Sequence, residues 1–156
     1  MIDSSEWRRL MARWATGVSV ITSVGPRGLT ANALTSLSLD PLLMLVCFAY
    51  ESNTFEAVRE SRRFAVNILS SAQEQVSRRF ALKAQDEKWN EVQYALVHGV
   101  PVLDGVLAWV VCDVEQELHG GDHAIVVGRP LAGDHAEGLE PLLFYDGAYR
   151  RLGSGA

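Results

Sequence analysis

Polar and apolar side chains alternate along residues 28–41, the stretch GLTANALTSLSLDP. Its polar positions carry neutral hydrogen-bonding groups, namely Thr30, Asn32, Thr35, Ser36 and Ser38. Such alternation predicts a β-strand with one face on the core. The other face suits either a neutral polar ligand or bulk water, and the pattern leaves both interpretations open. The strand is expected to end at Asp40, because Pro41 lacks an N–H group and restrains the residue before it.

An amphipathic helix is predicted over residues 4–14, where four apolar residues recur at helical spacing: Trp7, Leu10, Met11 and Trp14. Ser4 or Ser5 is available as its N-cap. Two tryptophans on so short a helix indicate packing, either on the core of the same chain or on a second subunit.

Two further helices are predicted from their N-terminal residues. One begins at Ser52-Asn53-Thr54 and ends near Ser61. The other follows Ser71-Ala72-Gln73-Glu74, which matches a capping box, and turns Val76 and Phe80 inward. Residues 83–98 have weak periodicity and are interpreted as a loop with at most a helical turn.

Strand patterns occupy most of the remaining chain. Residues 42–49, LLMLVCFA, form a continuous apolar run that predicts a fully buried strand. The other predicted strands are 17–24, 64–69, 106–118, 124–128, 141–145 and 148–152, with hairpin turns at 119–122 and at Asp146-Gly147. Strands that outnumber helices and follow one another directly favour a mainly β, antiparallel barrel with helices outside, in a single domain over residues 1–156.

Composition excludes several classes of protein. The net charge of −5 argues against a nucleic-acid binder, whose affinity rests on clustered Lys and Arg. No apolar run approaches the roughly 18 residues of a membrane-spanning helix, and the charged N-terminal residues lack a signal-peptide core. A cytoplasmic protein that does not contact membranes is therefore expected. Cys47 and Cys112 stand within apolar runs, which predicts buried free thiols.

Sequence signals of several catalytic sites are missing, including the GxSxG nucleophile, the phosphate-binding P-loop and the dinucleotide motif GxGxxG. His119 and His123 are four residues apart, but Gly120-Gly121 between them argues against a helix, and no further motif completes a metal site. No metal is therefore predicted. At the end of the turn, His123 either faces a ligand or only caps the hairpin, and both interpretations stay open.

Six blocks occur in an order that resembles one known family: GVSVIT (17–22), GLTANALTSLSLDP (28–41), FAVNIL (64–69), SRRFA (77–81), GGDHAIVVG (120–128) and PLLFYDGAYRRL (141–152). Together they are similar to the short-chain flavin reductases of the flavin-reductase-like, FMN-binding split-barrel family. The resemblance covers nearly the whole chain. It implies a six-stranded antiparallel split β-barrel of Greek-key type with short flanking helices.

The resemblance also implies a function. A homodimer would bind FMN, or alternatively FAD, and would reduce it with NADH or NADPH, after which the reduced flavin diffuses to a partner monooxygenase. The alternative is a flavin-binding carrier or electron-transfer module without nicotinamide turnover, and a third hypothesis is a barrel for a ligand other than flavin. Hydride transfer to flavin requires no protein nucleophile, because the cofactor carries the chemistry.

Site residues follow from the resemblance, position by position. Those expected along the flavin ring and its ribityl chain are Gly28, Leu29, Thr30, Asn32 and Ala33, with Thr35 and Ser36 on the same stretch. Cys47, Phe48 and Ala49 would border the ring, and Asn53 and Thr54 would bind the phosphate with Arg79 as a second partner. His123 would position the nicotinamide or, as the second choice, relay a proton.

Two of these expectations can be weighed by physical arguments. A helix that begins at Asn53 offers free N–H groups and a positive dipole end to an anion, which supports the phosphate assignment independently. Arg79 lies in the last turn of its predicted helix, where a cation is favourable without any ligand.

Two positions depart from the pattern of the family. Pro41-Leu42 stands where the family usually has Pro-Pro, and Pro130 follows Gly128-Arg129 where the family has Val or a similar residue. Pro130 is expected to shorten the strand that contains Gly128, because proline cannot donate a ladder hydrogen bond.

Overall fold

A computed structural model describes residues 1–82 and 87–153 of this chain. Its helices are Ser4–Met11 (α1), Asn53–Ser61 (α2) and Glu74–Phe80 (α3), with a 3-10 turn at Ser71–Gln73. Its strands are Thr16–Gly17 (β1), Ser19–Ser23 (β2), Arg27–Ala31 (β3), Leu34–Leu39 (β4), Leu42–Ala49 (β5), Arg63–Ile68 (β6), Tyr94–Val97 (β7), Val100–Leu103 (β8), Ala108–Gly120 (β9), His123–His135 (β10), Leu143–Tyr145 (β11) and Ala148–Arg150 (β12). The loop predicted over 83–98 falls partly on residues 83–86, outside the described residues.

Seven strands form the main sheet in the order β3-β2-β6-β9-β10-β5-β4, and all neighbours are antiparallel. A smaller sheet joins β1, β11 and β12, and β7 pairs with β8. The mainly β class with short helices is confirmed. The predicted six-stranded barrel is not, because β3 and β4 end the sheet as separate edges and no ladder between them is found in the described residues.

The stretch predicted as one strand is divided at residues 32–33. β3 pairs with β2, whereas β4 pairs with β5 at the opposite edge of the sheet. At the division, the Ala33 carbonyl accepts a hydrogen bond from the Cys47 N–H at 2.9 Å. Alternation of side chains continues through this division, so the sequence pattern does not reveal it. Where the chain passes from one edge of the sheet to the other, residues 32–33 lie beside β5.

The centre of the sheet is covered on both faces. Ile21 and Phe64 pack with Phe55 and Val58 of α2 on one face, and Val20 packs with Phe80 and Leu103 on the other. All five residues of β2 are buried. By contrast, β5 is not the fully buried strand that its apolar run predicts, since Leu42 is 57% exposed. A continuous apolar run does not show whether another element covers both faces.

A buried amide links three strands of the core. Asn67 on β6 is fully buried, and its Nδ2 donates to the Val20 carbonyl of β2 at 3.1 Å. Its Oδ1 accepts from the Leu103 N–H of β8 at 2.8 Å. The amide therefore satisfies backbone groups that water does not reach.

Two helix starts differ from the predictions by one residue. Asp3, not Ser4 or Ser5, caps α1 and accepts from the Glu6 N–H at 2.8 Å. Ser70, not Ser71, opens the capping box with Gln73. Because several polar residues adjoin at each site, composition alone does not choose among them. The apolar face of α1 does not pack on the core, and Trp7 and Leu10 are about half exposed.

The hairpins of the structure agree only in part with the predicted ones. The Asp146-Gly147 turn between β11 and β12 is confirmed, with positive φ at both residues. In the β7–β8 hairpin, β7 lies within the predicted loop 83–98 and β8 lies beyond it, and the turn uses His98 and Gly99, also with positive φ. Pro130 does not end β10, because a register shift between Pro130 and Ala132 lets the ladder continue to His135. Of the helices in the described ranges, none has the length and hydropathy needed to cross a bilayer.

Candidate functional site

A cavity of about 490 Å³ opens between β3, β5 and the N-terminus of α2. Its volume lies in the range of sites for small molecules and cofactors. The predicted residues that line it are Leu29, Thr30, Asn32, Ala33, Cys47, Phe48, Ala49, Asn53 and His123. The strand ladder explains part of this convergence, since His123 on β10 lies directly opposite Ala49 on β5. The fold thus brings together three segments that are distant in sequence, namely residues 29–33, residues 47–53 and His123.

Gly28 lies just outside the cavity lining and serves packing. A Cβ atom added to it would lie 2.5 Å from Cε1 of Phe80 and 3.3 Å from Cζ2 of Trp89. Only glycine therefore lets these rings approach β3 so closely. Thr35 and Ser36, also predicted to bind flavin, are exposed on the edge strand β4 and do not line the cavity.

Arg79 and Thr54 are the other predicted residues outside the lining. The Arg79 guanidinium donates to the Asn90 carbonyl and lies 3.9 Å from a Glu91 carboxylate oxygen, so it ties α3 to residues 90–91. Thr54 is fully buried, and its Oγ1 has no hydrogen-bond partner among the described residues. The roles predicted for both residues stay predictions.

The N-terminus of α2 forms one rim of the cavity. Ser52 is the N-cap, and its Oγ accepts from the Phe55 N–H at 3.3 Å. Helix geometry leaves the N–H groups of Asn53 and Thr54 without acceptors inside the helix. Together with the positive end of the helix dipole, these groups favour an anion. One acidic residue, Glu51, also lines the cavity.

His123 and Asp122 form a pair at the tip of the β9–β10 hairpin. His123 Nδ1 lies 2.7 Å from Asp122 Oδ1, and the hydrogen bond lowers the pKa of Asp122. His119 is engaged elsewhere, with its Nδ1 2.9 Å from the Tyr50 hydroxyl and its ring stacked on the tyrosine. Within residues 1–82 and 87–153, no group of three or more His, Cys, Asp or Glu side chains converges on a metal position.

The two thiols differ in exposure. Cys112 is fully buried, as predicted, and burial raises its pKa to about 12. Cys47 is only partly buried, which corrects the prediction of a buried thiol, and it lines the cavity. Burial also raises the pKa of Cys47, which disfavours the reactive thiolate form.

Sequence reasoning missed several lining residues, notably Phe80, Leu82 and Lys88. Lys88 is only 3% exposed, and its ammonium donates to the Gly28 carbonyl at 3.0 Å. Burial lowers its pKa. Lysine in a charged, aperiodic run is usually solvated, so no local signal indicates that this side chain is buried.

The lining fits a flat, amphipathic nucleotide cofactor. Leu29, Phe48 and Phe80 supply apolar surface, whereas Asn32 and the α2 terminus supply polar groups, the latter suited to phosphate. Fold and cavity together define a β-sheet protein of the nucleotide-cofactor-binding class.

Comparison with known proteins defines the family. The profile of the flavin reductase like domain matches residues 11–153, and the chain belongs to this family. It is 36% identical over 157 residues to the reductase subunit of a flavin-dependent monooxygenase from Mycobacterium tuberculosis, covering 95% of this chain and 82% of that protein. The solved structure of NADH:FAD oxidoreductase from Streptomyces globisporus, in complex with NAD and FAD fragments, superposes with a TM-score of 0.94 at 33% identity, covering 99% of this chain and 95% of that one.

Some relatives are longer. A Rhizobium meliloti protein named "Probable flavin reductase" is 38% identical over 154 residues, which cover 96% of this chain. The chain spans 49% of the length of that relative. The family predicted from the six sequence blocks is confirmed, and the flavin and NADH in the names of the relatives agree with the predicted cofactor and cosubstrate.

Proposed function

We propose that this protein is an NAD(P)H:flavin oxidoreductase that reduces FMN, or alternatively FAD. The observation that carries the proposal is the convergence of β3, β5, the α2 N-terminus and His123 on one cavity. When bound there, the flavin supplies the hydride acceptor. The protein binds both partners, orients them and excludes water.

The β3 edge would hold the flavin ring. Among the described strands, β3 pairs with β2 alone, so its outer side presents backbone groups that the sheet leaves unpaired. The Thr30 hydroxyl already donates to the Ser77 carbonyl at 2.6 Å, which fixes β3 against α3. Backbone N–H groups aimed at the ring would stabilise negative charge that develops during reduction. Asn53 and the free N–H groups of α2 would bind the flavin phosphate.

His123 would position the nicotinamide. It lines the cavity beside Ala49, and Asp122 holds its Nδ1. This contact restricts the rotation of the imidazole, and proximity of the two reacting rings is the main demand of hydride transfer. A proton relay is the second role, since the chemistry does not require an acid at this position.

The test is a stepwise spectroscopic titration. Purified protein is first titrated with FMN, and NADH is then added without oxygen. Loss of the ~450 nm absorption of oxidised flavin supports the reductase. Flavin that binds but does not bleach with NADH or NADPH would instead indicate a carrier, and protein that binds no flavin would contradict the proposal as a whole.

We also propose, as the family resemblance implies, that the protein is a homodimer and that it supplies reduced flavin to a partner monooxygenase. A homodimer is supported by apolar side chains exposed near the β4–β5 edge, where Leu37, Leu39 and Leu42 are 47%, 86% and 57% exposed. Sedimentation is expected to give a dimer that Leu39→Lys dissociates.

Delivery of reduced flavin to a monooxygenase is tested by separating the two enzymes with a dialysis membrane. Product should still form, because reduced flavin crosses the membrane.

A further inference from the structure

Lys88 is a buried cation in the cavity wall for which the proposed function has assigned no role. We propose that Lys88 is a phosphate-recognising side chain of the cavity, whose ammonium binds a phosphate oxygen of the nucleotide ligand. The inference rests on the proposed function and adds a residue to it. Among the described residues that line the cavity, the basic side chains are those of Lys88 and His123.

The first argument is the burial of the charge. At 3% exposure, Lys88 is among the few buried polar or charged residues of the described chain. An ammonium group removed from water is costly unless an anion or several hydrogen bonds compensate it. Among the residues that the structure describes, the acceptor of the Lys88 ammonium is one neutral group, the Gly28 carbonyl at 3.0 Å. An ammonium has three N–H donors, so one carbonyl uses only part of its capacity.

The second argument is position. Lys88 lines the same cavity as Asn53 at the N-terminus of α2. The helix terminus supplies N–H groups and a partial charge, whereas Lys88 supplies a full charge, and phosphate binding commonly combines the two. The Gly28 carbonyl holds the ammonium near the start of β3. The next two residues of this strand, Leu29 and Thr30, line the same cavity.

Two ligands bring phosphate to this cavity, the flavin nucleotide and the nicotinamide dinucleotide. Both would present the same oxygen chemistry to Lys88. Riboflavin distinguishes them, because it shares the ring and ribityl chain of FMN but lacks the phosphate. A purely structural lysine would instead tie residues 87–91 to β3 and would affect stability and all ligands alike.

The experiment measures binding by Lys88→Met, Lys88→Gln and Lys88→Arg variants of the whole chain. Flavin fluorescence gives the Kd of FMN and of riboflavin, and calorimetry gives the Kd of NAD⁺. We expect Lys88→Met to weaken FMN binding about tenfold or more, with riboflavin unchanged and with Lys88→Arg retaining most of the affinity. Arg78→Met, which removes an exposed cation of α3 outside the cavity lining, is the matched control.

Each outcome decides the assignment. A selective loss for FMN assigns the flavin phosphate, and a selective loss for NAD⁺ with both flavins unchanged assigns the dinucleotide. Equal losses for FMN and riboflavin, or no loss for any of the three ligands, overturn the proposal. Lys88→Gln serves the same comparison if Lys88→Met does not fold. Wild-type protein that binds neither flavin would refute the proposed function, whereas wild-type binding that is unchanged in the variants refutes only the role of Lys88.

Discussion

Buried polar groups are hydrogen-bonded more completely in the sheet centre than in and beside the cavity wall. In the centre, both the amide nitrogen and the oxygen of Asn67 have partners inside the protein. Beside the cavity, in the first turn of α2, Thr54 buries a hydroxyl with no partner among the described residues, and in the cavity lining Lys88 buries an ammonium that donates to the Gly28 carbonyl. Most buried polar groups of folded proteins have a hydrogen-bond partner. The difference supports the proposal that a bound ligand completes the cavity beside Lys88.

The largest effect is expected for Asn67→Ala in the sheet centre. It leaves the Leu103 N–H and the Val20 carbonyl without their amide partner, away from water. The free energy of unfolding should fall by roughly 3 kcal/mol, measured by urea denaturation. Binding of FMN by the folded protein should stay within about twofold of wild type. If the binding free energy of FMN fell by more than the free energy of unfolding, the two regions would not be independent.

Gly28→Ala tests the close packing of Phe80 on β3, beside the cavity. The new methyl group would lie within 2.5 Å of the Phe80 ring, and overpacking of this kind costs about 1–3 kcal/mol. Thermal denaturation should show the loss, and the double variant Gly28→Ala with Phe80→Leu should recover part of it. If Phe80→Leu gives no recovery, close packing is not the reason for glycine at this position.

His123→Ala should act on the cavity alone. We expect the apparent KM for NADH to rise about tenfold in steady-state assays while the Kd of FMN is unchanged, because only nicotinamide binding is lost. Asp122→Asn should change KM in the same direction but less, since it weakens the contact to His123 Nδ1 and keeps the imidazole. Parallel loss of FMN binding would assign His123 to the flavin instead.

The smallest effect is expected for Thr54→Val, which replaces the unpaired hydroxyl by a methyl group. Without ligand, stability should be unchanged or up to about 1 kcal/mol higher, because no hydrogen bond of the described structure is lost. The backbone N–H remains, so FMN affinity should stay within about threefold. A much larger loss in FMN titration would place the hydroxyl itself on the phosphate.

Parts of the candidate site were predictable and parts were not. The start of α2 after Ser52 was predictable, because capping depends on residues within one turn of helix. Residues 29–33 and 47–49 were assigned through the family resemblance, since the alternation of 29–33 also fits a solvated strand and the apolar run that contains 47–49 indicates only burial. Lys88 was missed because its local pattern is that of an exposed residue.

What the sequence by itself determined is local structure and membership of the family. The Asp146-Gly147 hairpin and the cap of α2 depend on neighbouring residues, and the ordered motifs identify the flavin reductase-like family. Only the tertiary structure decided that residues 32–33 divide two edge strands and that Lys88 is buried against Gly28, 60 positions earlier. The physical reason is that burial and contact between distant segments depend on how the sheet and helices pack, and neither periodicity nor composition carries that information.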